Sequence, residues 1–251
     1  MENRFDGKIV AITGAGGGLG GQFVEEFCAL GARVFGCDIR AETLDRVRQF
    51  GAIAAVVDLR DPREVAEWVA GIEKTVGGAI DILVNNAGGT TAAPARFVED
   101  VPDEEWDRIF AANVRATFYV CRAAVPAMKR ARKGRIINIS SGAGIAASRT
   151  KVHPYTAAKH ATVGLTRQMA AELGEFGITV NSVAPGFVLS SPYTKKHWDA
   201  IPPEGQRAHL QKTFMRRVGK LEDISNAVLF LASERSSWIS GQIISVDGGL
   251  G

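Results

Sequence analysis

The sequence predicts a single α/β domain built on a doubly wound, mostly parallel sheet of seven strands. Short apolar runs alternate with longer amphipathic stretches along all 251 residues, as in a parallel sheet with right-handed crossover helices. The runs are almost continuously apolar, as strands covered by helices on both faces are. No proline- or serine-rich linker and no internal repeat divides the chain, so we expect residues 1–251 to form one domain.

Seven apolar runs are predicted to be strands, and helical patterns lie between them. In residues 19–30, Leu19, Phe23 and Phe27 recur every four positions and form one apolar stripe. Residues 103–131 predict a longer helix, because the acidic start "DEEWD" and the basic end "KRARK" both complement the helix dipole. The predicted strands are 8–13, 32–37, 53–57, 80–85, 135–140, 178–184 and 242–246.

Residues 187–215 depart from this alternation of predicted strands and helices. The segment holds three prolines and little clean periodicity, and it follows the sixth predicted strand. Doubly wound folds bind their ligand at the carboxyl ends of the strands, where long insertions are often functional. We therefore predict a lid over a substrate, with an inert surface excursion as the alternative.

Composition excludes several classes of protein. A net charge of +3 is too small to indicate nucleic acid or an anionic membrane as a partner. Cys28, Cys37 and Cys121 are far apart, odd in number and without a CxxC pair, so we predict buried thiols in a reducing compartment and no metal site. The N-terminal residues lack the apolar run of a signal peptide, and no stretch is long enough to span a bilayer. These features predict a cytoplasmic protein.

A glycine-rich turn, "TGAGGGLG" (13–20), connects the first predicted strand to the first helix. Glycines here let a pyrophosphate approach the helix N-terminus, where free N–H groups and the dipole favour an anion. A GxGxxG match (Gly16, Gly18, Gly21) is weak evidence in a chain with 28 glycines, but its place between strand and helix strengthens it. The pattern predicts a Rossmann-like dinucleotide site.

Asp38 ends the second predicted strand and adds independent evidence for that site. An acidic side chain at this offset accepts hydrogen bonds from the adenosine ribose hydroxyls. Its charge would repel the 2′-phosphate of NADP, so we predict NAD, although Arg40 or Arg33 would be able to compensate. The alternative is a simple turn aspartate.

The motifs together resemble those of classical short-chain dehydrogenases/reductases. The resemblance covers nearly the whole chain, including the C-terminal third from "RVGKLEDISNAVLFLASE" to "SVDGG". Six motifs occur in the family's order and spacing: "TGAGGGLG", "NNAG" (85–88), Asn113, Ser141, Tyr155 with Lys159, and "PG" (185–186).

The resemblance implies a set of catalytic roles. Tyr155 would be the general acid/base, and Lys159, one helical turn along, would lower its pKa and hold the nicotinamide ribose. Ser141 would hydrogen-bond the substrate oxygen, with the adjacent Ser140 as a competing candidate. Asn113 would hold a water that links Lys159 to solvent.

The cofactor contacts also follow from the resemblance. Asp58 and Leu59 would flank the adenine, and the stretch from Asn86 to Gly88 would run under the adenosine ribose. Residues 185–188 would brace the nicotinamide, and Gly17 lacks the basic side chain common in NADP-dependent members. The implied contacts are Gly14, Gly18, Leu19, Asp38, Asp58, Leu59, Asn86, Ala87, Gly88, Tyr155, Lys159, Pro185, Gly186, Val188 and Ser190, the last in place of the usual threonine.

These features predict an NAD(H)-dependent enzyme that interconverts a secondary alcohol and a ketone. One alternative is an NADP-dependent 3-oxoacyl-carrier-protein reductase, and another is a dinucleotide-binding protein without catalysis. The family resemblance also implies a homotetramer. The substrate would be a polyol, a sugar, a hydroxy acid or a compact cyclic alcohol, and its predicted contacts are Thr90, Thr91, His153, Tyr193, His197 and Trp198.

Overall fold

A computed structural model describes residues 4–148, 151–190 and 192–249, without the side chains of Pro192, Tyr193 and His197. Within those ranges seven strands form one sheet, in which every neighbouring pair is parallel. The predicted doubly wound α/β fold is confirmed, and the sheet is entirely rather than mostly parallel. The strands are β1 (Ile9–Thr13), β2 (Arg33–Asp38), β3 (Ile53–Val56), β4 (Ile82–Asn85), β5 (Gly134–Ile139), β6 (Ile178–Pro185) and β7 (Ile243–Val246).

The strand order is β3-β2-β1-β4-β5-β6-β7, so the winding direction reverses between β1 and β4. A doubly wound sheet opens a crevice at the carboxyl ends of its strands at this reversal. The helices of the described ranges are α1 (Gly18–Ala29), α2 (Leu44–Gln49), α3 (Pro62–Val76), α4 (Asp103–Phe110), α5 (Ala116–Ala131), α6 (His153–Leu173), α7 (Pro192–Asp199), α8 (Pro203–Gln211) and α9 (Leu221–Ala232).

Two apolar clusters cover the two faces of the sheet. Alternate residues of one strand point to opposite faces, so Val10 and Ile12 pack in one cluster, with α1 and α9, and Ala11 packs in the other, with α3, α5 and α6. The predicted stripe on α1 is present, because Phe23 and Phe27 are fully buried. Each such side chain contributes about 1.5–3 kcal/mol to folding.

The edge strand β3 differs from the prediction of burial on both faces. Ile53 and Val56 are 46% and 56% exposed. The strand has a neighbour on one side only, and the short helix α2 that packs against it does not cover it fully. Its carboxyl end is nevertheless firmly placed, because Val57 and Leu59 are buried.

The single helix predicted over 103–131 is interrupted. A π-helical turn, Ala111–Arg115, separates α4 from α5. Such a turn holds an extra residue and is common at functional sites. Here it directs Asn113 into the interior, where the side chain is 1% exposed.

Residues 187–215 contain two short helices, α7 and α8, which the irregular sequence pattern did not indicate. Pro203 stands in the first turn of α8, where a proline needs no hydrogen-bond partner. The segment is tied down near both ends, since the Gly219 N–H donates to the Phe187 carbonyl at 3.0 Å. No described helix has the length and apolar character needed to cross a bilayer.

The cysteines are free thiols, as predicted, although Cys28 is only half-buried. Burial raises the pKa of the Cys121 thiol to about 12 and that of Cys37 further. Both thiols therefore stay protonated and serve as small apolar groups. In the described part of the chain, no group of three or more His, Cys, Asp or Glu side chains is arranged to hold a metal ion.

Candidate active site

A cavity of about 840 Å³ lies at the carboxyl edge of the sheet. One end is formed by the residues that follow β2 and β3, and the other end by residues of α6 and the segment after β6. This size and this position at the reversal of strand order are typical of a ligand site. All fifteen residues predicted to contact the cofactor line this one cavity.

The glycine-rich turn forms part of the cavity wall, with Gly14, Gly18 and Gly20 in close backbone contacts. Gly14 has φ +63°, and a Cβ there would lie 2.8 Å from the Ala87 Cα. A Cβ on Gly18 would overlap the Ser190 carbonyl, and one on Gly20 would overlap the Gly14 carbonyl. Gly21, the last glycine of the GxGxxG match, is not closely packed, because a Cβ there would meet nothing closer than 3.8 Å.

The N-terminus of α1 faces this turn and can hold an anion. Its N-cap is Gly17, so no side chain caps the first N–H groups. Uncapped N–H groups and the helix dipole together bind phosphate. The close glycine packing leaves backbone rather than side chains at the surface, which fits the pyrophosphate of a dinucleotide.

Asp38 lies beside the turn and is 7% exposed. Its carboxylate accepts hydrogen bonds from the Gly16 N–H (3.1 Å), the Arg40 N–H (3.1 Å) and, at 3.4 Å, the Arg40 Nε. It thus braces the turn and still lines the cavity. The prediction for Arg33 is wrong: it starts β2, at the opposite end of the strand, and its guanidinium lies 5.4 Å from the Phe35 ring centroid.

Ser141, Tyr155 and Lys159 line the same wall of the cavity. The Ser141 hydroxyl accepts from the Ala143 N–H at 3.1 Å and lies close enough to Tyr155 to lower the pKa of its phenol. The Ser140 hydroxyl instead donates to the Lys159 backbone carbonyl at 3.2 Å. Of the two adjacent serines, Ser141 is therefore the one whose hydroxyl lies next to Tyr155.

The Lys159 side chain is buried, and its Nζ donates to the Ile139 carbonyl at 2.8 Å. Burial lowers the pKa of Lys159 to about 8. Burial also raises the pKa of Tyr155, and the hydrogen bond with Ser141 opposes that rise. The Lys159 ammonium is directed to the Ile139 carbonyl and lies 5.6 Å from the centroid of the Tyr155 ring, and its effect on the pKa of Tyr155 stays a prediction.

Asn113 braces the wall of the cavity rather than lining it. Its Nδ2 donates to the carbonyls of Gly89 (2.9 Å) and Ile109 (2.8 Å), and its Oδ1 accepts from the Gly89 N–H at 3.0 Å. Both side-chain amide hydrogens of Asn113 are therefore already donated to protein carbonyls. The predicted water would be held by oxygen atoms of this residue. Gly88 packs so closely that a Cβ would lie 2.5 Å from the Asn113 Oδ1.

The "NNAG" stretch joins β4 to β1. Asn86 Nδ2 donates to the carbonyls of Thr13 (3.1 Å) and Gly14 (3.0 Å), and the Thr13 hydroxyl accepts from the N–H groups of Asn86 and Ala87. These bonds close the floor of the crevice between β1 and β4. On the far side, Gly186 packs against Asp247, whose Cα would lie 2.7 Å from an added Cβ.

Of the residues predicted to contact the substrate, some line the cavity and others do not. Thr90 and Thr91 line the cavity. His153 is exposed, and its Nε2 lies 3.2 Å from the Arg96 carbonyl, away from the cavity lining. Trp198 packs against the ring of Phe187 at 5.5 Å rather than lining the cavity. The side chains of Tyr193 and His197 lie outside the described part of the chain.

The cavity is also lined by side chains that the sequence analysis did not single out as contacts, and four of them are polar or reach its adenosine end. They are Arg60, Arg108, Thr194 and Ile39. The sequence around Arg60 could have indicated its place in the cavity, because "DLR" at 58–60 repeats the pattern "DIR" at 38–40. The other three share no such pattern and depend on the folded arrangement.

The fold, with its glycine-rich turn between β1 and α1, is typical of proteins that bind a dinucleotide. A family model described as enoyl-(acyl carrier protein) reductase matches residues 14–251. A 3-oxoacyl-[acyl-carrier-protein] reductase from Thermotoga maritima is 37% identical over 98% of this chain and 99% of the relative. A 7α-hydroxysteroid dehydrogenase from Escherichia coli is also 37% identical, over 98% of this chain and 95% of its own.

Solved structures agree with these relatives. A 7α-hydroxysteroid dehydrogenase complexed with NADH and 7-oxo glycochenodeoxycholic acid superposes with a TM-score of 0.88, at 37% identity, over 99% of this chain and 96% of the other. Levodione reductase gives 0.90 at 28% identity, over 98% of both chains. The chain belongs to the short-chain dehydrogenase/reductase family. It is an oxidoreductase of the kind that acts on CH–OH groups.

Proposed function

We propose that this protein interconverts a secondary alcohol and a ketone with NAD(H), and that Tyr155 is its general acid/base. The observation that carries the proposal is that Ser141 and Tyr155 stand side by side, with Lys159, on the wall of one cavity. Two hydroxyls so placed can bind one substrate oxygen between them. A nicotinamide dinucleotide, when bound, supplies or accepts the hydride.

The residues of the chain would handle the proton. In the reducing direction the Tyr155 phenol donates its proton to the carbonyl oxygen, and a hydrogen bond from Ser141 stabilises the developing negative charge. The raised pKa of Tyr155 keeps it protonated at neutral pH, which suits this direction. In the oxidising direction the phenolate accepts the alcohol proton, and the buried cation of Lys159 favours that phenolate.

The preference for NAD is supported by Asp38. Its carboxylate is buried at the adenosine end of the cavity, where it would repel a 2′-phosphate. One relative of known structure was solved with NADH.

Replacing the proton donor tests the catalytic assignment. We expect Tyr155→Phe to lower kcat by about 10²–10⁴-fold, since a general acid/base contributes that much. The affinity for NADH should change little. Tyr119→Phe is the matched control, because the Tyr119 ring packs in an apolar cluster rather than in the cavity. Unchanged turnover by Tyr155→Phe, followed by the absorbance of the reduced nicotinamide, would refute the assignment.

A second candidate is an NADP-dependent 3-oxoacyl-carrier-protein reductase. It is supported by the relative from Thermotoga maritima and by Arg40, whose side chain is 55% exposed beside Asp38. Comparing kcat/KM for NADH and NADPH, with a 3-oxoacyl thioester and with small ketones, separates the two candidates. A strong preference for NADPH and the thioester would favour the second.

We also propose that residues 187–215 form a lid over the substrate. Phe187 and Thr194 of this segment line the cavity, and the Ser190 carbonyl packs on Gly18. Polar Thr90, Thr91 and Thr194 beside the aromatic Phe187 suit a compact substrate with hydroxyl groups. A screen of alcohols and ketones of increasing size tests this choice of substrate. Activity confined to bulky apolar substrates would contradict a compact substrate with hydroxyl groups.

We propose a homotetramer in solution. Exposed apolar side chains near the C-terminal segment support it, since Phe214, Met215 and Trp238 are 71%, 62% and 99% exposed. Such surfaces are typical of subunit contacts. Light scattering that gave the mass of a monomer would refute the assembly.

A further inference from the structure

Arg108 stands at the edge of the cavity without an acidic partner. It lies on α4, is exposed and is part of the cavity lining. Two carboxylates precede it within about one helical turn, where a surface ion pair would be usual. Glu105 pairs instead with Arg96, at 3.5 Å. Among the residues that the structure describes, neither Glu104 nor any other carboxylate lies within 4 Å of the Arg108 guanidinium.

The other charged groups in the described lining of the cavity already have partners. Arg40 and Arg60 each lie beside the aspartate two residues before them, at 3.4 Å and 2.6 Å. The Lys159 ammonium donates to a backbone carbonyl at 2.8 Å. Arg108 therefore adds a positive charge that no carboxylate of this lining compensates, and such a charge in a cleft attracts an anion.

Arg108 lies on the same side of the sheet as the catalytic wall. The next residue, Ile109, packs in one apolar cluster with Tyr155 and with Ala93, which directly follows residues 88–92 of the cavity lining. The N-terminus of α1, which fits the pyrophosphate of a dinucleotide, belongs to the opposite side, where α1 packs with α9. We therefore expect the anion at Arg108 to be a group of the substrate and not the pyrophosphate.

The turn at residues 88–92 is held in a strained conformation. Four of its five residues have positive φ, and two of these, Thr91 (+51°) and Ala92 (+59°), are not glycine. Positive φ is a genuine outlier for a β-branched residue, and such strain is concentrated at functional sites. Asn113 fixes the turn, because its side chain bonds both the N–H and the carbonyl of Gly89.

The strained turn contributes an unpartnered hydroxyl to this region. The Thr91 Oγ1 is buried and has no hydrogen-bond partner among the described residues, and Thr91 lines the cavity. A buried hydroxyl without a partner is costly, which favours a ligand atom that it can bond. Thr91 can donate one hydrogen bond, and the planar fork of Arg108 can donate several. Together they match the two oxygens of a carboxylate.

We propose that Arg108 and Thr91 form a carboxylate subsite, and that the substrate is a compact hydroxy acid, which the enzyme interconverts with its keto acid. The inference rests on the proposed function, because it takes the reacting oxygen to lie at Tyr155. The carboxylate takes no part in the transfer of hydride and proton. It is held at the α4 edge, and because Ile109 packs in the cluster that contains Tyr155, only a short carbon chain separates it from the reacting carbon.

Paired substrates test the subsite in the whole protein. Short hydroxy acids, such as lactate and 3-hydroxybutyrate, are compared with their methyl esters, with NAD as the oxidant and the absorbance of the reduced nicotinamide as the readout. We expect kcat/KM for an acid to exceed that for its ester by about tenfold or more, because a hydrogen-bonded charge is lost in the ester. Equal or higher kcat/KM for every ester would overturn the subsite.

Variants test the arginine. Arg108→Ala should lower kcat/KM for the acid by about tenfold to hundredfold and leave that for the ester within about twofold. Arg108→Gln, which keeps a polar side chain without the charge, should behave in the same way. Arg63→Ala is the control, because Arg63 is 85% exposed and is not part of the cavity lining. Equal losses for acid and ester in a variant that circular dichroism shows to be folded would overturn the carboxylate role.

Two substitutions of Thr91 separate its hydroxyl from its shape. Thr91→Val keeps the β-branched shape without the hydroxyl and should lower kcat/KM for the acid by about tenfold. Thr91→Ser keeps the hydroxyl and should change it by about twofold at most. Equal effects of the two substitutions would overturn the part assigned to Thr91.

Calorimetry with NADH distinguishes the substrate from the dinucleotide as the ligand of Arg108. We expect Arg108→Ala to bind NADH within about threefold of the unsubstituted protein. A loss of NADH affinity as large as the loss in kcat/KM would assign the arginine to the dinucleotide and overturn the proposal. Oxidation of neutral secondary alcohols but of no hydroxy acid would overturn this inference and leave the proposed function standing. Absence of turnover with any alcohol or ketone would overturn both.

Discussion

The Lys159 ammonium donates to the Ile139 carbonyl at 2.8 Å and lies 5.6 Å from the centroid of the Tyr155 ring. The two side chains share one face of α6, four residues apart, yet the cation is directed at strand β5. Lys159 therefore stands under the tyrosine ring rather than at its hydroxyl. This arrangement keeps a buried positive charge close to the reacting group at a cost in stability.

Because burial of the Lys159 charge lowers the stability of the fold, we expect the Lys159→Met variant to be more stable than the unsubstituted protein but inactive. Folding lowers the pKa of Lys159 from 10.5 to about 8, which corresponds to a penalty of about 3 kcal/mol at neutral pH. Loss of the donor to Ile139 offsets about 1 kcal/mol of it. We expect the free energy of unfolding at pH 7 to rise by about 2 kcal/mol, while kcat falls by about 10²-fold or more.

The stability difference between Lys159→Met and the unsubstituted protein should depend on pH. Below pH 8 both the folded and the unfolded chain carry the Lys159 charge, and the penalty is fully present. Between pH 8 and 10.5 the folded state loses its proton first, so the unsubstituted protein gains stability relative to Lys159→Met. Denaturant melts at several pH values measure this, with Lys195→Met, at an exposed surface pair, as control. A stability difference independent of pH would contradict the prediction.

The two adjacent serines should respond differently to substitution. Ser141→Ala removes the hydrogen bond that lowers the pKa of Tyr155, so the rise of the oxidation rate with pH should move to higher pH. We expect kcat to fall by about 10²-fold. Ser140→Ala removes a bond to the Lys159 carbonyl and should cost about 1 kcal/mol of stability with a much smaller change in kcat. The reverse pattern in rate and melting measurements would reassign the catalytic serine.

Asp38 should set the choice between the two dinucleotides. Asp38→Asn removes the charge that opposes a 2′-phosphate and leaves Arg40 without its ion-pair partner. We expect the ratio of kcat/KM for NADPH to that for NADH to rise by about tenfold or more, a change of about 1.4 kcal/mol. Asp45→Asn, in the exposed pair with Arg48, is the control. An unchanged ratio would mean that Asp38 only braces the glycine turn.

Gly18 should be the most sensitive glycine of the turn. An added Cβ overlaps the Ser190 carbonyl, so Gly18→Ala must displace residues 187–190 from the turn. We expect dinucleotide affinity to fall by about tenfold or more, as calorimetry would show. Gly21→Ala, whose Cβ meets nothing within 3.8 Å, should bind normally and gain slightly in helix stability. Equal affinity in both variants would refute the close packing.

Much of this protein follows from local sequence. Strands and helices were predictable because apolar runs and four-residue periodicity reflect burial on a sheet or along a helix. The glycine turn, Ser141, Tyr155 and Lys159 were found because each motif lies within a few residues of a recognisable strand or helix. Arg33 was misjudged because proximity in sequence is not proximity in space, since an extended strand carried it to the opposite edge of the sheet.

Other features depended on contacts between distant segments. The partner of Lys159 is twenty residues away, and those of Asn113 include Gly89, twenty-four residues away. His153 turned to Arg96 and not to the cavity for the same reason. The sequence by itself determined the fold and the chemical groups of the site, because burial periodicity and residue type are local properties. Only the tertiary structure decided where those groups point and which of their hydrogen bonds are already taken, because these depend on the packing of strands and helices far apart in the chain.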